Sequence, residues 1–342
     1  MYSLRRFDPE INRRELFALR GAGTEALHDR KFEHMFGSGS YPDLITFLLY
    51  SDREKDAVGV ASLFSRGFEL GGREYRAGFN FDISVKPKHR TLGPALMLVK
   101  ALLKEAERSG YSVLIANPNT KSSIVFKRAG YVLTGRSCRW SKVLRSVNKL
   151  PEPLRDSPLG KPAAGAVDIC SRLFSRETAA SFRNLRNGRS LSGRECGIED
   201  VFLPGLPGRV KFEGTPGFLR WRYGGFYEDP VRAYHLERGG KPMGAVFYLV
   251  RGMNAAVENI LCEDIYLSDI LGGFIAHARK SGLYAVSIPF YGDPEFEKLL
   301  KGYGFFRRGE GRDVCVYPID RTLEDVFTDS GSVKMFNGDL DI

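Results

Sequence analysis

Apolar residues follow two patterns along the first 150 positions of the chain. Four short runs are rich in β-branched and aromatic side chains and end at turn-forming residues, which predicts strands over residues 45–50, 58–64, 79–85 and 113–116. The Gly71-Gly72 pair predicts the hairpin turn between the second and third strands. Apolar side chains then recur at helical spacing, which predicts an amphipathic helix that packs on a sheet through Leu92, Leu96, Val99, Leu103 and Ala106.

A similar order of elements occurs again in the second half of the chain. A Ser-Gly pair at residues 109–110 follows the predicted helix, and another pair at residues 281–282 takes the same place later. Aromatic segments at residues 32–36 and 219–223 also correspond in order. We interpret this order as a tandem duplication. It predicts an α/β fold of two domains, each a central mixed sheet with helices on both faces.

A proline-rich segment separates the two halves. Residues 151–162 contain four prolines and almost no apolar periodicity, which is typical of a stiff linker. A chain of 342 residues also exceeds what a single hydrophobic core usually serves. We therefore predict a first domain over residues 1–148, a linker over 149–163 and a second domain over 164–342.

Positive charge belongs to the first half. The chain carries a net charge of +10, and residues 1–150 hold 26 Lys and Arg against 15 Asp and Glu, which leaves a net charge of −1 for the remainder. A basic half can attract nucleic acid, but these residues are dispersed and no nucleic-acid motif accompanies them, so we expect no such partner. A polyanionic small molecule fits the charge better.

The cysteines and the lengths of the apolar runs indicate the cellular compartment of the protein. The five cysteines are odd in number and scattered, which fits neither a disulfide framework nor a zinc site. The apolar runs near the amino end are far shorter than a membrane span, and charged residues interrupt the first positions before a secretory core could form. We therefore expect a cytoplasmic protein with no membrane span and no bound metal.

Residues 83–95 hold the motif with the most chemical information. A short strand ends in a basic turn, and Arg90-x-x-Gly93-x-Ala95 then opens the predicted helix. Gly93 allows a ligand to approach the backbone, while the unpaired N–H groups and the positive end of the helix dipole attract an anion. The segment predicts a phosphate-binding turn; an ordinary strand-to-helix turn that happens to contain glycine is the alternative.

The spacing of this turn resembles a known family. Val85-x-Pro87-x-x-Arg90-x-x-Gly93-x-Ala95 resembles the loop that holds the pyrophosphate of acyl-coenzyme A in the GNAT superfamily of N-acyltransferases. A phosphate loop of the Walker type needs Gly-Lys-Ser/Thr instead, and a Rossmann turn needs three glycines. The resemblance implies two GNAT-like domains in tandem, with acetyl-coenzyme A or another acyl-coenzyme A as co-substrate and no metal.

A second motif follows in the expected order. Asn119-x-x-Ser122-x-x-x-Phe126-x-x-x-Gly130-Tyr131 resembles the GNAT signature that flanks the coenzyme arm. In the family, main-chain groups of the strand before the turn run along this arm. The resemblance therefore implies a coenzyme site formed by Ile83, Ser84, Val85, His89, Arg90, Thr91, Leu92, Gly93, Pro94, Ala95, Asn119, Ser122 and Phe126.

The resemblance also implies how the reaction would proceed. In GNAT enzymes an amine attacks the acyl thioester directly, and a base takes the proton of the amine. Asp82, before the turn, is the first candidate base, and a solvated strand-end carboxylate is the alternative. His34, in a segment expected to line the acceptor side, is the second candidate, and a half-buried structural histidine is the alternative.

One position departs from the family pattern. The usual acid is a tyrosine at the position of Phe126, which cannot donate a proton. Either the thiolate leaves unassisted or through water, or the domain binds acyl-coenzyme A without turning it over. The first reading predicts an N-acyltransferase, with acetyl expected first, and the second predicts a catalytically silent acyl-coenzyme A-binding or scaffold protein.

The second copy lacks the phosphate motif. Residues 263–269 place three carboxylates there, which would repel a pyrophosphate. We therefore expect coenzyme in the first domain and a metabolite, glycan or peptide amine acceptor against the second. Tandem GNAT proteins with one active copy, such as Fem-type aminoacyl transferases, are similar in this respect. The Trp-Arg-Tyr segment at residues 221–223 and the closing segment 337–341 also resemble uncharacterised bacterial GNAT proteins of polysaccharide clusters. The sequence leaves the oligomeric state open.

Overall fold

Strands and helices follow each other in a similar order in both halves of the chain. The computed structural model describes residues 1–20, 25–37, 43–155, 157–178, 191–201, 209–225 and 227–340. In the first half the strands are β1 (Tyr2–Arg6), β2 (Leu44–Ser51), β3 (Gly59–Leu70), β4 (Arg73–Val85), β5 (Val113–Ala116) and β6 (Val132–Val143). The helices there are α1 (Pro9–Arg20), α2 (Glu25–Phe36), α3 (Leu92–Arg108) and α4 (Thr120–Ala129).

The second half follows two connecting helices, α5 (Glu152–Arg155) and α6 (Gly160–Leu173). Its strands are β7 (Leu191–Cys196), β8 (Lys211–Phe212), β9 (Arg232–Arg238), β10 (Lys241–Arg251), β11 (Asn254–Cys262), β12 (Ala285–Tyr291), β13 (Phe306–Pro318) and β14 (Met335–Phe336). Its helices are α7 (Pro216–Tyr223), α8 (Leu267–Lys280), α9 (Pro294–Gly302), α10 (Glu324–Thr328) and α11 (Asn337–Leu340).

These strands form one continuous sheet. The order is β1-β2-β3-β4-β5-β13-β6-β12-β11-β10-β9-β7, with β8 beside β3 and β14 beside β12. At the centre the halves exchange strands, since β13 pairs with β5 and β6 pairs with β12. The sequence predicted one sheet for each half. Hydrogen bonding joins the two sheets, because each half has an edge that a strand of the other half completes.

Side chains of the central strands alternate between two faces of the sheet. On β5, Val113 and Ile115 lie in a core shared by both halves, whereas Leu114 and Ala116 lie in a core under α3 and α4. A third core lies under α8 and α9 in the second half. The helices α1 and α2 cover the outer part of the shared face through residues such as Leu16.

The parallel strand pair in each half separates partway along its length. β4 pairs with β5 over residues 77–80, and β11 pairs with β12 over residues 254–256. In the second half, β14 pairs with the end of β12, and α11 contacts β11, so the chain itself fills the gap. Asp339 of α11 is buried and forms an ion pair with buried Arg66, which fixes the segment of β14 and α11 in the gap.

The predicted strands and the predicted helix of the first half are confirmed as β2 to β5 and α3, with β2, β3 and β4 longer than expected. The buried face of α3 differs from the prediction. Leu98 and Leu102 are fully buried, whereas Leu92 and Leu96 are half-buried. Apolar residues cover more than half of the helix circumference here, so the periodicity alone does not fix which of them face the sheet.

The segment predicted as a linker contains regular structure. α5 and the first turn of α6 lie within residues 149–163, and Asp156 lies outside the described residues. The carboxylate of Asp168 on α6 accepts hydrogen bonds from the backbone and hydroxyl of Ser146, at 2.8 and 2.6 Å. The domain boundaries themselves stay a prediction. In the described part of the chain, no helix is both long and apolar enough to cross a bilayer.

Candidate active site

A β-bulge in β4 shapes the open gap of the first half. Val60 pairs with Ser84 and Ser62 pairs with Phe81, so two residues of β4, 82 and 83, lie opposite a single residue of β3. The first of these, Asp82, takes a φ of 54°, a region that non-glycine residues seldom adopt. The bulge therefore turns this part of β4 out of regular pairing at the place where β5 also diverges from it.

A groove of about 740 Å³ extends from the end of β4 to the starts of α3 and α4. Basic side chains from the turn and from α4 lie along it, and the described residues that line it include no acid. Both sequence motifs meet here, and the lining residues are Ile83, Ser84, Val85, Arg90, Thr91, Leu92, Ala95, Asn119, Lys121, Ser122, Ile124, Val125 and Arg128.

The start of α3 suits an anionic group. Its first turn contains no acidic residue, and the side chain of Thr91 makes no capping hydrogen bond. A Cβ at Gly93 would meet no atom within 4 Å, so the space above this residue is open. Arg90 is held beside it, because its Nε donates to the carbonyl of Val85 at 2.8 Å. Free N–H groups, the helix dipole and a guanidinium therefore face the same space.

Residues of the second motif fix both ends of α4. The side-chain oxygen of Asn119 accepts from the backbone N–H groups of Lys121 and Ser122, at 3.0 Å each. Gly130 ends the helix with a φ of 101°, which favours glycine. The cap holds α4 so that Lys121 and Ser122 line the groove.

A cleft of about 160 Å³ opens where β4 and β5 separate. It shares Ile83, Asn119 and Ser122 with the groove, so the two spaces meet there. Asp82 lines the cleft but not the groove. The structure thus brings Asp82 to the junction of the two spaces. The lining residues are Asn80, Phe81, Asp82, Ile83, Asn117, Pro118, Asn119, Ser122, Phe126, Arg312 and Leu340.

Phe126 is part of the cleft wall and is almost fully buried. Its ring lies edge-on to Tyr131, with ring centres 5.0 Å apart. Tyr131 is buried as well, and its hydroxyl accepts a hydrogen bond from Asn80 at 3.0 Å. Burial raises the pKa of Tyr131 far above its usual value. Tyr131 is therefore a core residue, and the position of Phe126 offers no ionisable acid to the cleft.

His34 lines neither the groove nor the cleft. Its ring stacks on Trp221, with ring centres 5.8 Å apart, and burial lowers the pKa of the imidazole although a backbone bond to Trp221 opposes this. The contact joins the corresponding segments 32–36 and 219–223, which lie in α2 and α7. We therefore leave His34 out of the proposed catalytic groups.

His89 also faces away from the groove. It is buried, and its two ring nitrogens are hydrogen-bonded to the hydroxyl of Tyr2 and to a carboxylate oxygen of Glu54, both at 2.8 Å. These bonds tie β1 to the basic turn. The imidazole that the sequence placed near phosphate therefore supports the turn from behind, and we leave it out of the proposed coenzyme site.

Six of the cleft residues were not among the site residues that the sequence indicated, and three of them show why. Arg312 of β13 and Leu340 of α11 come from the second half. The side chain of Asn117 donates to the carbonyl of Asp313 at 2.9 Å, a contact between residues 196 positions apart. Pairing of β13 with β5 creates these contacts, and no local pattern in the sequence marks them.

Ion pairs within the chain occupy the corresponding place in the second half. Asp264 binds the buried amino group of Lys334 at 2.8 Å, and Lys334 also binds Asp293 at 2.6 Å. Asp269, in the first turn of α8, pairs with Arg238. Two of the three carboxylates that replace the phosphate motif, Asp264 and Asp269, are thus bound to cations of the chain itself.

Solved structures share this architecture over almost the whole chain. A conserved protein of unknown function, a probable N-acyltransferase, from Enterococcus faecalis V583 superposes with a TM-score of 0.63 at 12% identity, covering 94% of this chain and 73% of that one. A GCN5-related N-acetyltransferase from Anabaena variabilis ATCC 29413 also gives 0.63 at 12% identity, covering 96% and 75%. One from Kribbella flavida gives 0.58 at 12%, covering 96% and 74%. The fold is therefore that of GNAT-type N-acyltransferases.

A sequence match to a known family covers part of the first half. Residues 11–131 match the acetyltransferase (GNAT) family, and this span includes the phosphate turn, the bulge and α4. No curated protein sequence matches the chain significantly. The match places a GNAT acetyltransferase domain in the first half of the chain.

Proposed function

We propose that this protein transfers an acyl group, acetyl in the first instance, from acyl-coenzyme A to an amine. The observation that carries the proposal is the junction of two spaces at Ile83, Asn119 and Ser122. On one side lies a groove with basic side chains and an open helix start, and on the other lies a cleft with Asp82. The match of residues 11–131 to the acetyltransferase (GNAT) family supports the same reaction class.

The groove offers complementary groups along its length. Backbone amides at the start of α3 and the guanidinium of Arg90 would hold the pyrophosphate, and Lys121 and Arg128 add positive charge. Main-chain groups of β4 over residues 83–85 would hold the pantetheine arm. When bound, the co-substrate supplies an activated acyl thioester.

The cleft supplies the remaining chemistry. The amine nitrogen bonds to the acyl carbon, the carbon–sulfur bond breaks, and the amine gives up one proton. Asp82 would accept this proton directly or through a water molecule, a role worth about 10²–10⁴ in rate. Because Phe126 cannot protonate the leaving sulfur, that proton comes from water, which suits a thiol with a pKa near 8.5.

The test is acceptor-dependent release of coenzyme thiol. Purified protein with acetyl-coenzyme A and a panel of primary amines should release thiol and form N-acetylated product, identified by mass spectrometry. Tight coenzyme binding with no turnover of any amine would support the silent binding protein that Phe126 favours. Absence of coenzyme binding would contradict both functions.

A further inference from the structure

Three arginines lie together beside the cleft on the two central strands. Arg139 of β6 is directly opposite Arg308 of β13, and Arg312 is opposite Ser137, two residues along β6. All three arginines are exposed. We call Arg139, Arg308 and Arg312 the arginine cluster.

The arginine cluster lies on the face of the sheet opposite the coenzyme groove. Cys138 and Trp140 point into the core under α8 and α9, so Arg139 between them points to the other face. Arg308 shares that face, because directly opposite residues of an antiparallel pair lie on one side. Arg312 lines the cleft together with Asp82. A molecule entering the cleft from this face therefore passes the arginine cluster.

Arg139 and Arg308 repel each other across the strand pair. Like charges directly opposite each other on paired strands are destabilising. Among the residues that the structure describes, neither Arg139 nor Arg308 forms an ion pair, and the guanidinium of Arg308 lies over the ring of Phe306 at 4.4 Å. On the other face, by contrast, Arg136 pairs with Asp313 at 3.0 Å. Arg139 and Arg308 are thus suited to an anion from outside the chain.

We propose that the arginine cluster binds an anionic oxygen group of the acceptor, so that the acceptor is an amine that also carries a carboxylate or a phosphate. This inference rests on the proposed function and specifies its substrate class. Guanidinium groups bind the oxygens of both anions in a bidentate geometry. Asp82 and Arg312 line one cleft, so a carboxylate and a guanidinium face the two ends of a dipolar acceptor.

The exchange of strands between the halves places these arginines beside the cleft. β13 carries Arg308 and Arg312 from the second half to a position beside β5 of the first half. The second half would therefore recognise the acceptor through a strand inserted next to the active cleft. Coenzyme phosphates would lie on the other face, at the start of α3, and would not compete for these arginines.

The test compares matched pairs of amines with acetyl-coenzyme A. β-Alanine is paired with β-alaninamide, and 2-aminoethyl phosphate with ethanolamine, so each pair differs in the anionic group. We expect kcat/KM for the anionic member to exceed that of the neutral member by at least about tenfold. In an Arg139→Gln, Arg308→Gln double variant this ratio should fall towards one. Arg73→Gln, at the exposed far end of β4, is the matched control and should keep the ratio.

Two outcomes would overturn the proposal. In the first, wild-type protein has the same kcat/KM for both amines of each pair. In the second, the double variant loses activity equally towards both amines of a pair. The carboxylate pair and the phosphate pair separate the two anions. If no amine is turned over, the proposed function fails, and calorimetric titration of the same amines into the coenzyme-bound protein tests the arginine cluster alone. Equal affinity of the anionic amines for wild type and double variant would then reject it.

Discussion

Gly93 allows the phosphate-binding turn to be tested without disturbing the fold. A Cβ at this position meets no protein atom, so Gly93→Val adds bulk only to the space proposed for the pyrophosphate. We expect the affinity for coenzyme A to fall at least about tenfold, measured by calorimetric titration, with the melting temperature unchanged.

Gly217→Val is the matched control for this prediction. Gly217 is also the second residue of an exposed helix start, in α7, and its nearest contact would be the Thr215 hydroxyl at 3.9 Å. This variant should bind coenzyme A as the wild type does. Equal affinity of the Gly93→Val variant and the wild type would remove the turn from the coenzyme site.

Asp82 has a strained backbone and lies where the groove and the cleft meet. Asparagine tolerates a positive φ at least as well as aspartate, so Asp82→Asn removes the charge while it keeps the bulge. We expect the single-turnover rate of acyl transfer to fall by about 10²-fold or more, because the proton of the amine loses its acceptor. Coenzyme affinity should not change.

The control for Asp82 is Glu74→Gln, at the exposed other end of the same strand. It should leave the rate as in the wild type. A normal rate in the Asp82→Asn variant would assign the proton to water or to another group.

At the scale of elements, a buried ion cluster joins β6 of the first half to α8 of the second. Glu177 accepts from Lys142 of β6 at 2.7 Å and from Arg279 of α8 at 3.0 Å. Burial alone would raise the pKa of the Glu177 carboxyl, but the hydrogen bonds from Arg279 and Lys142 lower it. The cluster therefore depends on the ionised carboxylate.

Glu177→Gln should destabilise the protein at neutral pH. The change leaves buried Lys142 and half-buried Arg279 without a counter-charge, at a cost of about 3–5 kcal/mol in the free energy of unfolding. Urea denaturation measures this difference. Glu295→Gln, which removes an exposed carboxylate paired with Lys298, is the control and should have little effect.

The pH dependence of this difference follows from the direction of the pKa shift. Since the folded pKa of Glu177 lies below the unfolded value, about 4.3, its contribution is complete above that pH and is lost as the pH falls through the folded pKa. The gap between wild type and Glu177→Gln should therefore narrow below about pH 4. A gap that stays constant down to pH 3 would contradict the role of the ionised carboxylate.

The sequence predicted individual elements well where the pattern is local. The strand from 79 to 85, the Gly71-Gly72 turn and α3 follow from side-chain type and spacing within a few residues. His89 and Leu98 show the limit. Sequence spacing indicated neither the hydrogen bonds that draw His89 inward nor the rotation of α3 that buries Leu98, because both depend on packing with distant segments.

At the scale of the molecule, the central strand exchange predicts that the halves stay together when the chain is cut. A specific protease site inserted between residues 155 and 160 would leave β6 on one fragment and β13 on the other, yet each strand pairs across the halves. We expect the fragments to co-elute in size exclusion and to retain coenzyme affinity. Fragments that separate in native buffer would contradict this pairing.

The same exchange explains which part of the site the sequence could not indicate. Residues that line the groove proposed for the coenzyme lie within a span of 46 positions, from Ile83 to Arg128, and two motifs mark them. The acceptor side is different. Arg312 and Leu340 reach the cleft only through the position of β13 and α11 in the folded protein, so their contribution follows from topology.

The position of β13 also sets an order of events during translation. β5 leaves the ribosome long before Phe306–Pro318, the strand that completes its edge. Translation proceeds at about 5–20 residues per second, so the first half of the chain has an open sheet edge for on the order of ten seconds or more. Such an edge invites wrong pairing and calls for protection in the cell. A nascent chain therefore completes the proposed acyl-transfer site only after most of the second half has been made.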